Sequence, residues 1–339
     1  MAGMRLTKPV LGWALYDWAN SAYATAVYSA FFPALFKGYW NHGVDAGTST
    51  FRLGLCNSLA AGVVLVLALT LGAVSDLARA KRRFLFSFAA LGVASLLILP
   101  GVPEGSWQMA AVFYILTWIG FAGANIFYDS LLTGVSPHEE ERHRVSSLGF
   151  SLGYLGGGIL FALNLVVVIK PGLFGISDAG TAARYGFYAV ALWWSLFSIP
   201  AFLWVPEPVG ASVPLAEAFK RSLGRWGARA REAAQMKQTW LFLFAYFLYI
   251  DGVDTVIAMS TDYGMSLGFP EGDLMQAMLL VQVVGFPAAL LYGRMADRIG
   301  SKKALLMGVG GFILVTLWAY RMEQVREFYI LAALAALFL

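Results

Sequence analysis

Over 339 residues the chain is 59% apolar and only 13% charged, with a mean hydropathy of +0.67. A water-soluble domain carries about 25% charged residues, so this composition excludes a hydrated globular fold. The net charge of +4 is scattered over short stretches, which excludes a nucleic-acid-binding face. A lone Cys56 excludes a disulfide framework, and His42, His138 and His143 lack metal-ligand spacing, so neither metal nor other cofactor is expected.

Crossing a bilayer core of about 30 Å takes about 20 apolar residues in a helix. Runs of that kind lie near 9–36, 52–74, 84–101, 107–134, 145–169, 184–205, 239–262, 272–293 and 304–320. A tenth, 328–339, is shorter. These lengths favour helices, because barrel strands need only about 10 alternating residues each. The first run follows Arg5 and Lys8 as a signal peptide would, but it contains Asp17 and Asn20 and lacks a small-residue cleavage site. It is expected to remain as a span.

Between the second and third runs stands Gly72–Arg83 (GAVSDLARAKRR), with Gly72 and Asp76 followed by Arg79, Lys81, Arg82 and Arg83. The fifth run spaces Gly149, Gly153 and Gly157 four apart, which allows close backbone contact with a neighbouring helix. After the sixth run comes the longest polar connection, 206–237. Its stretch 215–236 alternates basic and apolar residues at helical spacing around Trp226, as expected of a helix lying on the membrane surface. In the eighth run Gly285 and Pro287 weaken the backbone ladder and are expected to allow a bend. Gly293–Lys303 (GRMADRIGSKK) then repeats the earlier loop: Gly293 and Asp297 at the same spacing, followed by Arg298, Gly300 and Lys302. A repeated Gly-x-x-x-Asp step with basic residues points to duplicated membrane-spanning halves.

If the N-terminus is placed on one side, that side receives 18 of the 24 Lys and Arg residues. The other side receives Lys37, Arg52, Lys170, Arg184, Arg321 and Arg326. The excess makes the first side cytoplasmic. Four carboxylates fall deep in spans: Asp17 in the first, Asp129 in the fourth, Asp251 and Asp254 in the seventh. Placing an ionised side chain at the bilayer centre costs at least about 2.5 kcal/mol, so such residues usually face a cavity and work there. Helical spacing puts Asp17, Asn20, Ser21 and Tyr28 on one stripe, Asn125, Tyr128 and Asp129 on a second, and Asp251, Asp254, Thr255 and Thr261 on a third. From these stripes Asp17, Asn20, Asn125, Asp129, Asp251 and Asp254 are the candidate substrate- or proton-binding residues.

The Gly293–Lys303 loop resembles the signature loop between the second and third helices of each half in the major facilitator superfamily. The earlier loop departs from it, with Arg79 where the family has a second glycine. Trp13–Phe32 (WALYDWANSAYATAVYSAFF), Tyr128–Gly158 and Tyr249–Gly264 (YIDGVDTVIAMSTDYG) are similar to the vacuole-effluxer family, a branch of that superfamily whose fungal member exports amino acids from the vacuole. Ile250 departs from the asparagine many relatives carry there. The resemblance implies an all-α membrane protein with two six-helix halves: 1–205, the linker 206–237, and 238–339. With nine spans and part of a tenth, the second half is expected to be truncated. It further implies that the acid-bearing helices line a central cavity, and that Gly72, Asp76, Arg79, Arg82, Gly293, Asp297, Arg298, Gly300 and Lys302 belong to gating loops.

The activity implied is secondary transport of a small solute, with amino acids as the leading class. It would proceed by alternating access coupled to protons, in a monomer embedded in a lipid bilayer, the cytoplasmic membrane if the source is bacterial. An intramembrane aspartyl protease is the enzymatic rival, since Tyr16-Asp17 and Tyr128-Asp129 supply half of its motif, but no Gly-x-Gly-Asp occurs. A non-transporting scaffold or receptor would not need polar stripes on these helices.

Overall fold

The computed structural model describes residues 6–136, 138–207, 212–222, 224 and 236–338. The first membrane segment opens with α1 (Lys8–Ala22), where the Thr7 hydroxyl caps Val10 N–H and Pro9 presets the first turn. Beyond Ala22 it widens into π turns over Tyr23–Phe31, returns to α geometry for Phe32–Leu35, and widens again over Phe36–Trp40. The remaining helices are α2 (Ala46–Ala78), α3 (Lys81–Ile98), α4 (Trp107–Val135), α5 (Glu139–Ile169) and α6 (Ala179–Trp204). After the connection come α7 (Lys237–Ser266), α8 (Glu271–Ile299), α9 (Ser301–Ala319) and α10 (Val325–Phe338).

Eight of these helices, α2 to α9, are long and apolar enough to cross a bilayer. With the broken first segment they reproduce the nine expected spans, and α10 is the short tenth. The fold is an all-α, multi-pass bundle. Large apolar side chains stand outward where lipid would meet them, for instance Leu55, Leu59, Leu65, Val66 and Leu69 along α2. This is the arrangement expected when the surrounding solvent is hydrocarbon and backbone groups are satisfied within helices.

Short polar segments supply the caps. Asp45 accepts from Thr48 N at 2.9 Å to start α2, and Asp178 accepts from Thr181 N at 2.8 Å to start α6. Hydrogen bonds from Ser177 and Thr181 hold the Asp178 carboxyl down at about 2. Pro287 and Gly285 leave α8 helical throughout, and Gly285 sits against the Tyr154 ring of α5. The predicted weak point is a packing contact.

The two signature loops share one backbone feature. Arg79 ends α2 with φ 49° and ψ 53°, and Gly300 ends α8 with φ 87°. Both stand seven residues after the loop's first glycine. Arg79 therefore adopts the left-handed conformation that a glycine takes freely, at a cost of about 1–2 kcal/mol. Gly300 has ψ 144°, outside the left-handed helical region, so what the two copies share at this position is a positive φ and not the same turn.

Hydrogen bonds sort the connections into two ends. At one end, Arg82 N donates to Glu207 Oε1 (2.6 Å), Arg82 Nη1 to Val205 O (3.1 Å), and Lys81 Nζ to Ser130 O (3.3 Å). At the other, Trp40 Nε1 donates to Val102 O (3.3 Å), Arg184 Nη1 to Tyr39 Oη (2.7 Å), and the Arg52 guanidinium lies 4.0 Å over the Trp107 ring. We call these the near and far ends, the near end being that of the N-terminus.

Of the 206–237 linker, a helical stretch at 215–222 is described, with an ion pair between Arg221 and Glu217. Most of the expected surface helix, including Trp226, lies outside the described residues. A single cysteine at exposed His42, in a variant without Cys56, is expected to react with an impermeant thiol reagent from outside the cell, and one at exposed Lys220 only after the membrane is opened. Equal labelling of both from outside would contradict the orientation read from the basic residues.

Candidate functional site

The expected site residues lie on the first segment, α4 and α7, and the first segment touches both helices. Asn20 Nδ2 donates to Asn125 Oδ1 at 2.6 Å, joining the first segment to α4. Thr261 Oγ1 donates to Ser29 O at 2.5 Å, joining α7 to the first segment. Tyr23 and Thr117 exchange a further hydroxyl contact at 3.2 Å.

Asp17 is half-buried beside the glycine stripe of α5. A Cβ on Gly149 would lie 2.8 Å from Asp17 Oδ2 and 3.3 Å from the Tyr128 hydroxyl, so the carboxylate has room only because position 149 lacks a side chain. Gly153 and Gly157 face Ser21 and Thr25 in the same way. The stripe read from sequence as packing is packing, and what it packs against is the polar face of the first segment. Tyr128 is fixed by its ring, stacked on Trp13 at 4.3 Å, while Trp13 Nε1 donates to Tyr128 O at 3.0 Å.

The first predicted stripe does not run the full segment. Asp17 and Ser21 face α5 and Asn20 faces α4, but the π turns after Ala22 add a residue per turn and break the α register. Tyr28 consequently meets Trp118 of α4, with ring centroids 6.0 Å apart. On α7, Asp251, Asp254 and Thr255 are exposed, whereas Thr261 is buried against the first segment. Asp129 is exposed near the near end of α4, one residue before the carbonyl that Lys81 reaches.

The loop residues behave differently. Asp76 pairs with Lys81 of its own loop at 2.9 Å and its side chain is 65% exposed. Gly72 has open space where a Cβ would stand, and Arg82 ties α3 to the end of α6. Gly293 packs on Ser147 of α5. Arg298 and Lys302 are exposed, and the Asp297 side chain lies outside the described residues.

Sequence reasoning misses one cluster. The positions of the apolar runs put Lys37 in a loop, but the first segment stays helical to Trp40, which carries Lys37 onto the face of α7. There its ammonium lies 2.7 Å from Asp262 Oδ1, with side chains 12% and 1% exposed. The available signal is a Lys and an Asp of opposite charge at the same ends of two runs expected to be neighbours. Among the described residues no group of three His, Cys, Asp or Glu could hold a metal ion.

A family model described as "Vacuole effluxer Atg22 like" matches residues 43–339. An uncharacterised MFS-type transporter, YxiO of Bacillus subtilis (strain 168), is 38% identical over 337 residues, covering 98% of this chain and 78% of that protein. Autophagy-related protein 22 of Coccidioides immitis (strain RS) is 26% identical over 289 residues, covering 66% of this chain and 47% of its own. Among solved structures, a D-xylose–proton symporter superposes with a TM-score of 0.62 at 17% identity, over 97% of this chain and 79% of that one. A mutant form of the nucleoside transporter NupG gives 0.61 at 13% identity, over 98% and 79%. At such identities these two establish the major facilitator fold and nothing finer.

Proposed function

The chain belongs to the vacuole effluxer Atg22-like family, and from that membership we propose that it moves a small amphoteric or cationic solute, an amino acid in the first instance, across the membrane. It is a secondary transporter of the major facilitator class rather than an enzyme. One observation carries the substrate reading. The first segment, which bears Asp17, is bonded both to α4, which bears Asp129, and to α7, which bears Asp251 and Asp254, and none of 9–36, 107–134 or 239–262 contains a Lys or Arg to neutralise those acids. Uncompensated carboxylates at membrane depth need a partner that arrives and leaves.

In this mechanism the half 1–205 rocks against 238–339 around the 206–237 connection, exposing the site to each side in turn. Asp17 and Asp251 meet the positive group of the solute or exchange a proton with it, Asp254 is the second acid of α7, and Asn20 and Asn125 orient the polar end. Family membership supports amino acids as the first class to test, because it is the class implied by the resemblance of Trp13–Phe32 and Tyr249–Gly264.

Reconstituted in sealed vesicles, the protein is expected to accumulate a radiolabelled amino acid under a proton gradient. Asp17→Asn and Asp251→Asn should insert and fold but lose that accumulation at least tenfold. Asp45→Asn should keep it, because asparagine caps α2 as well as aspartate does. Parent rates in both site variants would reduce the acids to scaffolding.

A further inference from the structure

Lys37 does more than pair with a buried acid. Its Nζ donates to Ser266 Oγ at 2.8 Å, to Asp262 O at 3.1 Å and to Thr50 Oγ1 at 3.2 Å, and Thr50 Oγ1 in turn donates to Asp262 Oδ2 at 2.6 Å. Lys37 and Thr50 come from the first segment and the start of α2, whereas Asp262 and Ser266 come from the last turns of α7. The cluster therefore bridges residues more than two hundred positions apart, on the far-end side of the Thr261–Ser29 bond.

A buried ion pair contributes little net stability, because desolvation offsets the attraction. What it supplies is geometric: the two charges compensate each other in one arrangement and are left unpaired in any other. A contact with that property suits a boundary that must be either shut or open.

We propose that Lys37, Asp262, Thr50 and Ser266 form a latch that closes the far end between the two halves, and that this latch breaks whenever the site opens to the far side. It rests on the alternating-access reading above. Lys37 and Asp262 are positioning residues and touch no solute. Separating them leaves an ammonium and a carboxylate to rehydrate in the opened vestibule, so water entry and latch opening are one event.

The test reads the gate without any solute, in the full chain lacking Cys56. Ala258 is buried on α7 one turn inside the latch, so Ala258→Cys reports water access from the far side. With an impermeant thiol reagent applied to that side, the parent should label slowly. Lys37→Met and Asp262→Asn should each label at least tenfold faster, and the exchange Lys37→Asp with Asp262→Lys should return the rate toward the parent's. Thr50→Val, which removes one hydroxyl and leaves both charges, should label faster by a smaller factor and serves if the charge variants fail to insert. Parent-like rates in the charge variants, or in Thr50→Val where those do not insert, overturn the latch while leaving far-side opening intact. No far-side labelling in any form, solute added or not, overturns alternating access and the latch with it.

Discussion

Gly120→Leu is expected to destabilise the folded bundle by about 3 kcal/mol, the upper end of the usual cost of overpacking. Gly120 of α4 crosses Gly92 of α3 so closely that a Cβ there would fall inside the van der Waals envelope of the Gly92 N and Cα atoms. Gly92 is in turn closed off, since its own added Cβ would stand 2.7 Å from the Trp194 ring of α6. Trp194 is fully buried and packed against Tyr23 at 5.7 Å and Phe121 at 6.2 Å, so it has nowhere to go. Three helices and the first segment meet at this point, and backbone, unlike a flexible side chain, cannot turn aside. The check is thermal unfolding in detergent followed by monodispersity. The control is Gly134→Leu in the same helix, where nothing lies within 4 Å of an added Cβ. Equal loss in both variants would show that α4 merely resents bulk.

The second large effect is at Asp262. Asp262→Ala should cost about 3–5 kcal/mol, because the Lys37 ammonium stays buried with its charge uncompensated. The double variant Lys37→Met with Asp262→Leu should recover most of that loss, and parity with the parent is the expected upper limit, since a well-packed apolar pair often matches a buried ion pair. A double-mutant cycle on unfolding free energies reads this directly. Single and double variants losing stability additively would mean that the two side chains do not interact.

Much of this molecule could be read in the chain because hydrocarbon leaves the backbone few options. Lengths of apolar run predicted the helices, and the alternation of spans predicted which ends lie together, as the Arg82–Glu207 and Trp40–Val102 bonds show; the cytoplasmic side read from the basic residues is what the thiol labelling tests. The stripe arithmetic held only in part: Asn20 does meet Asn125, but Asp17 and Ser21 turn to α5, and on α7 Thr261 is buried while Asp251, Asp254 and Thr255 are exposed. It failed at Tyr28, because no residue in Tyr23–Phe31 signals a π turn: such turns arise from packing against neighbours rather than from local propensity. Lys37 escaped for a related reason. A lysine after an apolar run reads as the end of a span, and only the neighbouring Asp262 and Ser266 make it worth keeping inside. The role of Arg79 was hidden differently, since a residue type that avoids positive φ conceals what the glycine at the corresponding position, Gly300, makes plain.

The wide turns of the first segment have a consequence for how this chain can tolerate a change in length. A helix that already holds a surplus residue in Tyr23–Phe31 can give it up and relax to ordinary winding without losing its ladder of hydrogen bonds. The acid end at Asp17 and the lysine end at Lys37 each remain anchored by their own partners, α5 on one side and α7 on the other. A one-residue deletion would be fatal to register in most membrane helices. Here it has a place to be absorbed, so removing one residue from Tyr23–Phe31 should leave both ends of this segment in position.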